Sequence, residues 1–217
     1  MFKTGPGARR TFARMSSENS KNSKNADVYA LMKECAAEAA RVARGVRAEQ
    51  LAGPTPCADW DVRALVNHWV CFTSHGLEHR AHRTGLPEEL PKRDFAADPG
   101  WAEAYAAQLD RALAAWAVPA AWEGDVDLGF LAMPAPEVAA VIVKEMAVHG
   151  WDVARATGQE FRASAGVAAL VLRVAEDHGE MYRQYDGFAD PVPVPPDAPA
   201  FDRALAATGR DPRRPAA

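Results

Sequence analysis

For most of its length the chain repeats its apolar positions at helical rather than strand spacing. After a polar opening tract, Val28, Leu31, Met32, Cys35, Ala39 and Val42 mark one face of a first helix, which ends before the break at Gly53 and Pro54. Asp61 stands where it can cap a second helix running to about Thr84, with Val62, Leu65, Val66, Trp69, Thr73 and Leu77 as its stripe. Trp101, Tyr105, Leu109, Leu113 and Trp116 define a third helix, and Pro136 opens a fourth that reaches Gly158. Val167, Leu170, Val171, Val174 and Met181 line a fifth. Between the third and fourth, Gly124, Gly129 and the alternation Val126, Leu128, Phe130 predict extended chain or a short hairpin. Nothing alternates strand with helix. The predicted fold class is therefore all-α, an antiparallel four-helix bundle with accessory elements.

The ends read differently. Residues 1–25 predict a disordered leader, with Met15 as an alternative start, and residues 26–190 the helical bundle domain. Residues 191–217 are a proline-rich tail with one amphipathic turn at Phe201, Ala204 and Leu205, expected to pack across the bundle and cover its open mouth.

Composition then removes several classes of function. With 48% hydrophobic and 25% charged residues among 217, the chain suits a folded domain with a sizeable core. A net charge of -4, with no basic helix interleaved with aromatics, argues against a nucleic-acid partner. No run approaches the roughly 20 apolar residues of a membrane span. Cys35, Cys57 and Cys71 have no paired spacing, which predicts a reduced, cytoplasmic compartment and cysteines acting as small buried hydrophobes. Exposed tryptophan on the third helix would permit a homodimer.

The chemistry concentrates on the fourth helix. At about 100° per residue, Val138, Val141, Ile142, Val153 and Ala156 form one apolar face, with Glu145 and His149 near its centre and Asp152 at its edge. Lys144 and Arg155 project away from it, towards solvent. One turn apart, Glu145 and His149 can aim at a common point, and a carboxylate there needs a cation or strong hydrogen bonds, since burying it alone costs several kcal/mol. A buried ion pair or a hydrogen-bonded network would satisfy it. His68, on the flank of the second helix beside Leu65, Trp69 and Phe72, adds a second imidazole, and two histidines with one carboxylate suit a divalent ion such as zinc while leaving a position open. Asp152 could orient a ligand imidazole from behind. A rival set, His75, His79 and His82, is interrupted by Glu78, Arg80 and Arg83 near a helix end and reads more readily as a solvated face. His178, on the fifth helix, is a helix-surface residue or an outside catalytic candidate for proton transfer.

"TPCADWDVRALVNHWV", followed downstream by "EMAVHGWDVARATGQ" and "ATGRDP", resembles the DinB-like metal-binding proteins related to mycothiol-dependent maleylpyruvate isomerase, in their compact branch. The resemblance spans about Ala26 to Pro212. It implies an up-down-down-up bundle with a metal at one end of the core, held by His68, Glu145 and His149, usually zinc and sometimes nickel. It also implies an enzyme, a thiol transferase or isomerase, in which the metal activates mycothiol or a similar small thiol, or water, against an electrophilic substrate. The alternatives are metal-assisted hydrolysis without a thiol, and a non-catalytic module whose metal stabilises the bundle for binding or sensing. The isomerase has a further C-terminal portion around its substrate pocket, where this chain has a short tail, so maleylpyruvate is not the expected substrate.

Overall fold

The structure, a computed structural model, describes residues 6–57, 59–129, 131–185 and 187–213, with side chains from residue 20 onward. Phe130, the third member of the strand-like alternation, lies outside these residues, as do Ala58, Asp186 and both ends of the chain. The helices are α1 (Pro6–Arg44), α2 (Val62–Val70), α3 (Gly76–Ala81), α4 (Trp101–Trp116), α5 (Ala135–Ala156), α6 (Ala165–Gln184) and α7 (Ala200–Ala207). Strands β1 (Asp125–Asp127) and β2 (Ala132–Pro134) pair antiparallel, Val126 opposite Met133, as the short hairpin expected there. The fold is all-α.

A wide π-helical turn, Cys71–His75, joins α2 to α3 without a break in helical backbone. Its stripe is buried as the periodicity requires: Val62, Leu65, Val66, Trp69, Thr73 and Leu77 are all fully buried. Asp61 caps the helix, its carboxylate accepting from the Ala64 amide at 2.8 Å and satisfying one of the free first-turn donors. Within the π turn the Thr73 and Ser74 hydroxyls donate back to the carbonyls of Trp69 and Val70, both at 2.7 Å.

The helix α1 packs against α4 and α5, α2 against α5, α3 against α4, α6 against α5, and α7 mainly against α6. The helix α5 is thus surrounded. It buries residues on all sides, among them Val138, Ala139, Val143, Met146, Ala147 and Val153, as a central helix does. Gly150 permits the closest of these contacts, because a β-carbon there would collide with the Phe161 ring and press on Trp69. Buried indoles find carbonyl partners: Trp69 Nε1 donates to Met146 O at 3.1 Å and Trp116 Nε1 to Leu77 O at 2.8 Å.

Four expectations change. Helix α1 begins at Pro6, so the polar stretch read as a disordered leader is helical from there, in register with the packed half that follows; Ser20 to Lys24 are exposed and bury no face. Lys144 is buried, 1% exposed at its side chain, because the face of α5 opposite the apolar stripe is covered as well. Arg155 is half-buried and donates to Pro212 O at 3.3 Å in the tail. Trp101 and Trp116 are buried, which removes the exposed tryptophan offered as a basis for a dimer. No helix of the described residues is long and apolar enough to cross a membrane.

Candidate metal centre

The indole bond from Trp69 to the Met146 carbonyl fixes how α2 lies on α5. Each partner is one residue from a predicted ligand, so the same contact brings His68 opposite Glu145. His149 stands one turn further along α5, its Nε2 at 3.1 Å from Glu145 Oε2. The rings of His68 and His149 meet edge to face with centroids 5.0 Å apart. Donor atoms of His68, Glu145 and His149 all lie within 4.8 Å of one another, so that small side-chain rotations would gather them round one divalent ion at bonds of about 2.0–2.2 Å. Two imidazoles and one carboxylate are a fitting donor set for zinc, and three protein ligands leave a coordination position free.

Buried partners hold Glu145 and His149 from behind. Lys144 pairs with Glu145 Oε1, which leaves Oε2 facing His149. The ammonium of Lys144 lies over the rings of Tyr182, 3.9 Å from the centroid, and Phe188, at 4.8 Å. On the far side of His149, Nδ1 meets Asp152 Oδ2 at 3.0 Å. That contact turns Nε2 towards Glu145 and His68, the arrangement in which a carboxylate orients a metal-binding imidazole. Asp152 has no solvent exposure and a crowded carboxylate: Arg210 donates Nε to Oδ1 at 3.1 Å and Nη2 to Oδ2 at 2.8 Å, and Cys57 Sγ donates to Oδ2 at 3.3 Å.

These contacts set the protonation of the groups. Burial pushes His68 down to about 4, helped by the neighbouring charge of His149. Burial also opposes charge on His149, but the hydrogen bonds with Asp152, Cys57 and Glu145 outweigh it and hold that imidazole at about 10. For Glu145 and Asp152 burial likewise favours the neutral acid. It is overcome by Lys144 and His149 in the first case and by Arg210 and His149 in the second, so both carboxyls lie well below their ordinary range.

Cys57, His149 and Asp152 form a second group of close donor atoms. The guanidinium of Arg210 already occupies both oxygens of Asp152, and a cation placed there would face its charge directly. The first group is therefore the candidate metal site.

The loop before α2 completes the setting. Thr55 Oγ1 donates to Trp60 O at 2.8 Å and accepts from Cys57 N at 3.0 Å. Trp60 stacks beside His68, centroids 4.6 Å apart, and reaches His149 at 6.0 Å. A cleft of about 320 Å³ opens at His68, walled by Trp60, Asn67, Phe72 and the Pro91–Asp94 segment.

The rival histidines do not gather. His75 stacks on Phe95, with centroids 5.4 Å apart, and His79 Nδ1 bonds Thr84 Oγ1 at 2.8 Å. His82 is exposed. Each is drawn to a partner of its own or to solvent, so no two of them share a point. His178 does not join the three ligands either. It faces Glu137 at 3.5 Å, and Glu137 lies eight residues before Glu145, about 12 Å along α5 at 1.5 Å per residue. Cys35 and Cys71 are buried as small hydrophobes, whereas Cys57 is half-buried and polar in its contacts. Sequence reading missed Lys144, Cys57 and Arg210. Signals existed for all three: Lys144 adjoins a candidate ligand, and Cys57 and Arg210 lie within the quoted motifs "TPCADWDVRALVNHWV" and "ATGRDP".

The family model of the mycothiol maleylpyruvate isomerase N-terminal domain matches residues 32–154, which contain all three candidate ligands. Two proteins of Mycobacterium tuberculosis, from strains CDC 1551 / Oshkosh and ATCC 25618 / H37Rv and both described as uncharacterized, are each 31% identical over 169 residues, covering 76% of this chain and 87% of theirs. Among solved structures, the crystal structure of the mycothiol-dependent maleylpyruvate isomerase superposes with a TM-score of 0.56 at 16% identity, over 70% of this chain and 67% of that one, a likeness of fold. The fold is DinB-like, and the chain belongs to the mycothiol maleylpyruvate isomerase N-terminal domain family.

Proposed function

We propose that the chain is a cytoplasmic thiol-dependent isomerase or transferase. Its cosubstrate is mycothiol or a similar low-molecular-weight thiol, and it works at a divalent ion, zinc, held by His68, Glu145 and His149. Residues 26–190 form the catalytic bundle and residues 191–217 the tail packed on it. One observation carries the reading: two imidazoles and a carboxylate from two helices converge within 4.8 Å beside a cleft. The solved isomerase of similar fold is described as mycothiol-dependent, which favours a thiol over water as the activated group.

Bound at this site, the ion would deprotonate a coordinated thiol whose ordinary pKa, about 8.5, leaves it mostly protonated at neutral pH. The protein's own groups prepare that chemistry. Asp152 fixes the orientation of His149, and Lys144 holds one oxygen of Glu145 so that the other stays directed at the centre. Trp60 and Phe72 give the cleft ring faces against which the thiol and an electrophile can lie. Maleylpyruvate itself is not assigned.

Metal analysis of the purified protein, followed by thiol titration of a cobalt-substituted form, tests the proposal. Near-stoichiometric metal and a visible-spectrum change on adding mycothiol are expected, with conversion or conjugation of an electrophile detected by mass spectrometry. A cobalt spectrum that responds to none of several thiols would instead favour a metal-stabilised module without catalysis.

A further inference from the structure

We propose that Arg210 is a positioning residue of the metal centre, acting through Asp152, and that docking of the C-terminal tail and metal loading therefore strengthen one another. The inference rests on the centre proposed above. It begins with the end of α7. Gly209 takes φ +84°, the Arg210 amide donates to Leu205 O and the Gly209 amide to Ala206 O, both at 3.1 Å. That pair of bonds is a Schellman motif, and only glycine takes the left-handed position without strain. A β-carbon at Gly209 would also meet the backbone of Ala189. The turn thus sends Arg210 off the helix in one fixed direction while Ala204, Leu205 and Ala206 bury α7.

Arg210 reaches Asp152 as a fork, Nε to Oδ1 at 3.1 Å and Nη2 to Oδ2 at 2.8 Å, and its Nη1 returns to Thr208 O at 3.2 Å. Two parallel bonds fix the plane of a carboxylate, which a single point charge does not. With its plane fixed, Asp152 presents Oδ2 to His149 Nδ1 at 3.0 Å, and His149 Nε2 faces Glu145. The path from tail to ligand is one unbroken chain of contacts. Without Arg210, Asp152 keeps only His149 and Cys57 as partners, both on Oδ2, and nothing holds Oδ1. Anything that orders Asp152 for the metal also orders the tail, since coupling between two sites is reciprocal.

Zinc affinity by chelator competition, with helical content by circular dichroism as the folding check, is measured for Arg210→Lys, Arg210→Met, Asp152→Asn and the Met/Asn double variant. Arg210→Lys keeps the charge and drops the fork, and it should weaken zinc at least about tenfold. Arg210→Met should weaken it as much alone but change it less than about twofold once Asp152→Asn is present, because the two act along one path. Arg203→Ala, whose guanidinium only meets Pro196 O, should leave affinity within about twofold. In the unmodified protein, zinc should slow amide exchange across residues 200–210. Wild-type affinity in Arg210→Lys, multiplying losses in the double variant, or tail exchange indifferent to zinc would overturn the inference while leaving the metal centre intact. A wild-type chain that binds no zinc overturns the centre, and this inference falls with it. If Arg210→Met fails to fold, Arg210→Lys and the exchange measurement decide alone.

Discussion

Two stretches of this chain carry histidine at helical spacing among charged neighbours, and they end in opposite conditions. On α5, Glu145 and His149 converge with His68, each held from behind by a buried partner. On α3, His79 spends its imidazole on a nearby threonine and His82 faces solvent. The residue types barely differ. What differs is the neighbourhood: around Glu145 and His149 α5 is largely covered, so its polar groups are forced to find each other, whereas the end of α3 can discharge its polarity into water. Spacing nominates a cluster of donors, and burial with a second helix assembles it.

The comparison can be broken first at its strongest point. His149→Ala should abolish near-stoichiometric metal, a loss of more than about 100-fold in affinity, measured by metal analysis after gel filtration. Next in size is Lys144→Met. Removing one partner of a buried pair costs about 3–5 kcal/mol, and the low end is expected because the Glu145 side chain keeps 22% exposure. A denaturant melt of the metal-free protein reads it, and an unchanged melt would show that Lys144 is not the compensating charge.

A third test compares the two imidazoles of the centre in the metal-free protein. At pH 7 NMR should find His149 cationic and His68 neutral, since the first titrates at about 10 and the second at about 4. The sign for stability follows. The contribution of His149, raised on folding, is fully present below its unfolded value near 6.5 and is lost as pH rises through about 10. For His68, depressed on folding, the unfolded chain takes up the proton first, so stability is lost as pH falls from about 6.5 towards 4. Identical titration of both near 6.5 would refute the described environment. The smallest effect belongs to His79→Ala: metal content unchanged and stability within about 0.5 kcal/mol.

Much of the centre could be read locally. Glu145 and His149 are one turn apart, a relation fixed by helix geometry before any tertiary contact, and the stripe of α2 already set His68 beside the buried Trp69. Asp61 as a cap is equally local. The wheel failed at Lys144 because it assumes one dry face per helix, and α5 is buried round most of its circumference. Nor does periodicity foresee the π turn at Cys71–His75.

The helices, their order, the hairpin and the pairing of Glu145 with His149 were legible in the chain alone, because each follows from short-range periodicity and the cost of burying charge. Only the tertiary structure decided that Lys144 is enclosed, that Cys57 touches Asp152, and that Arg210 returns across 58 residues to hold the same carboxylate. Such contacts depend on where distant segments dock, and no local rule of spacing encodes that.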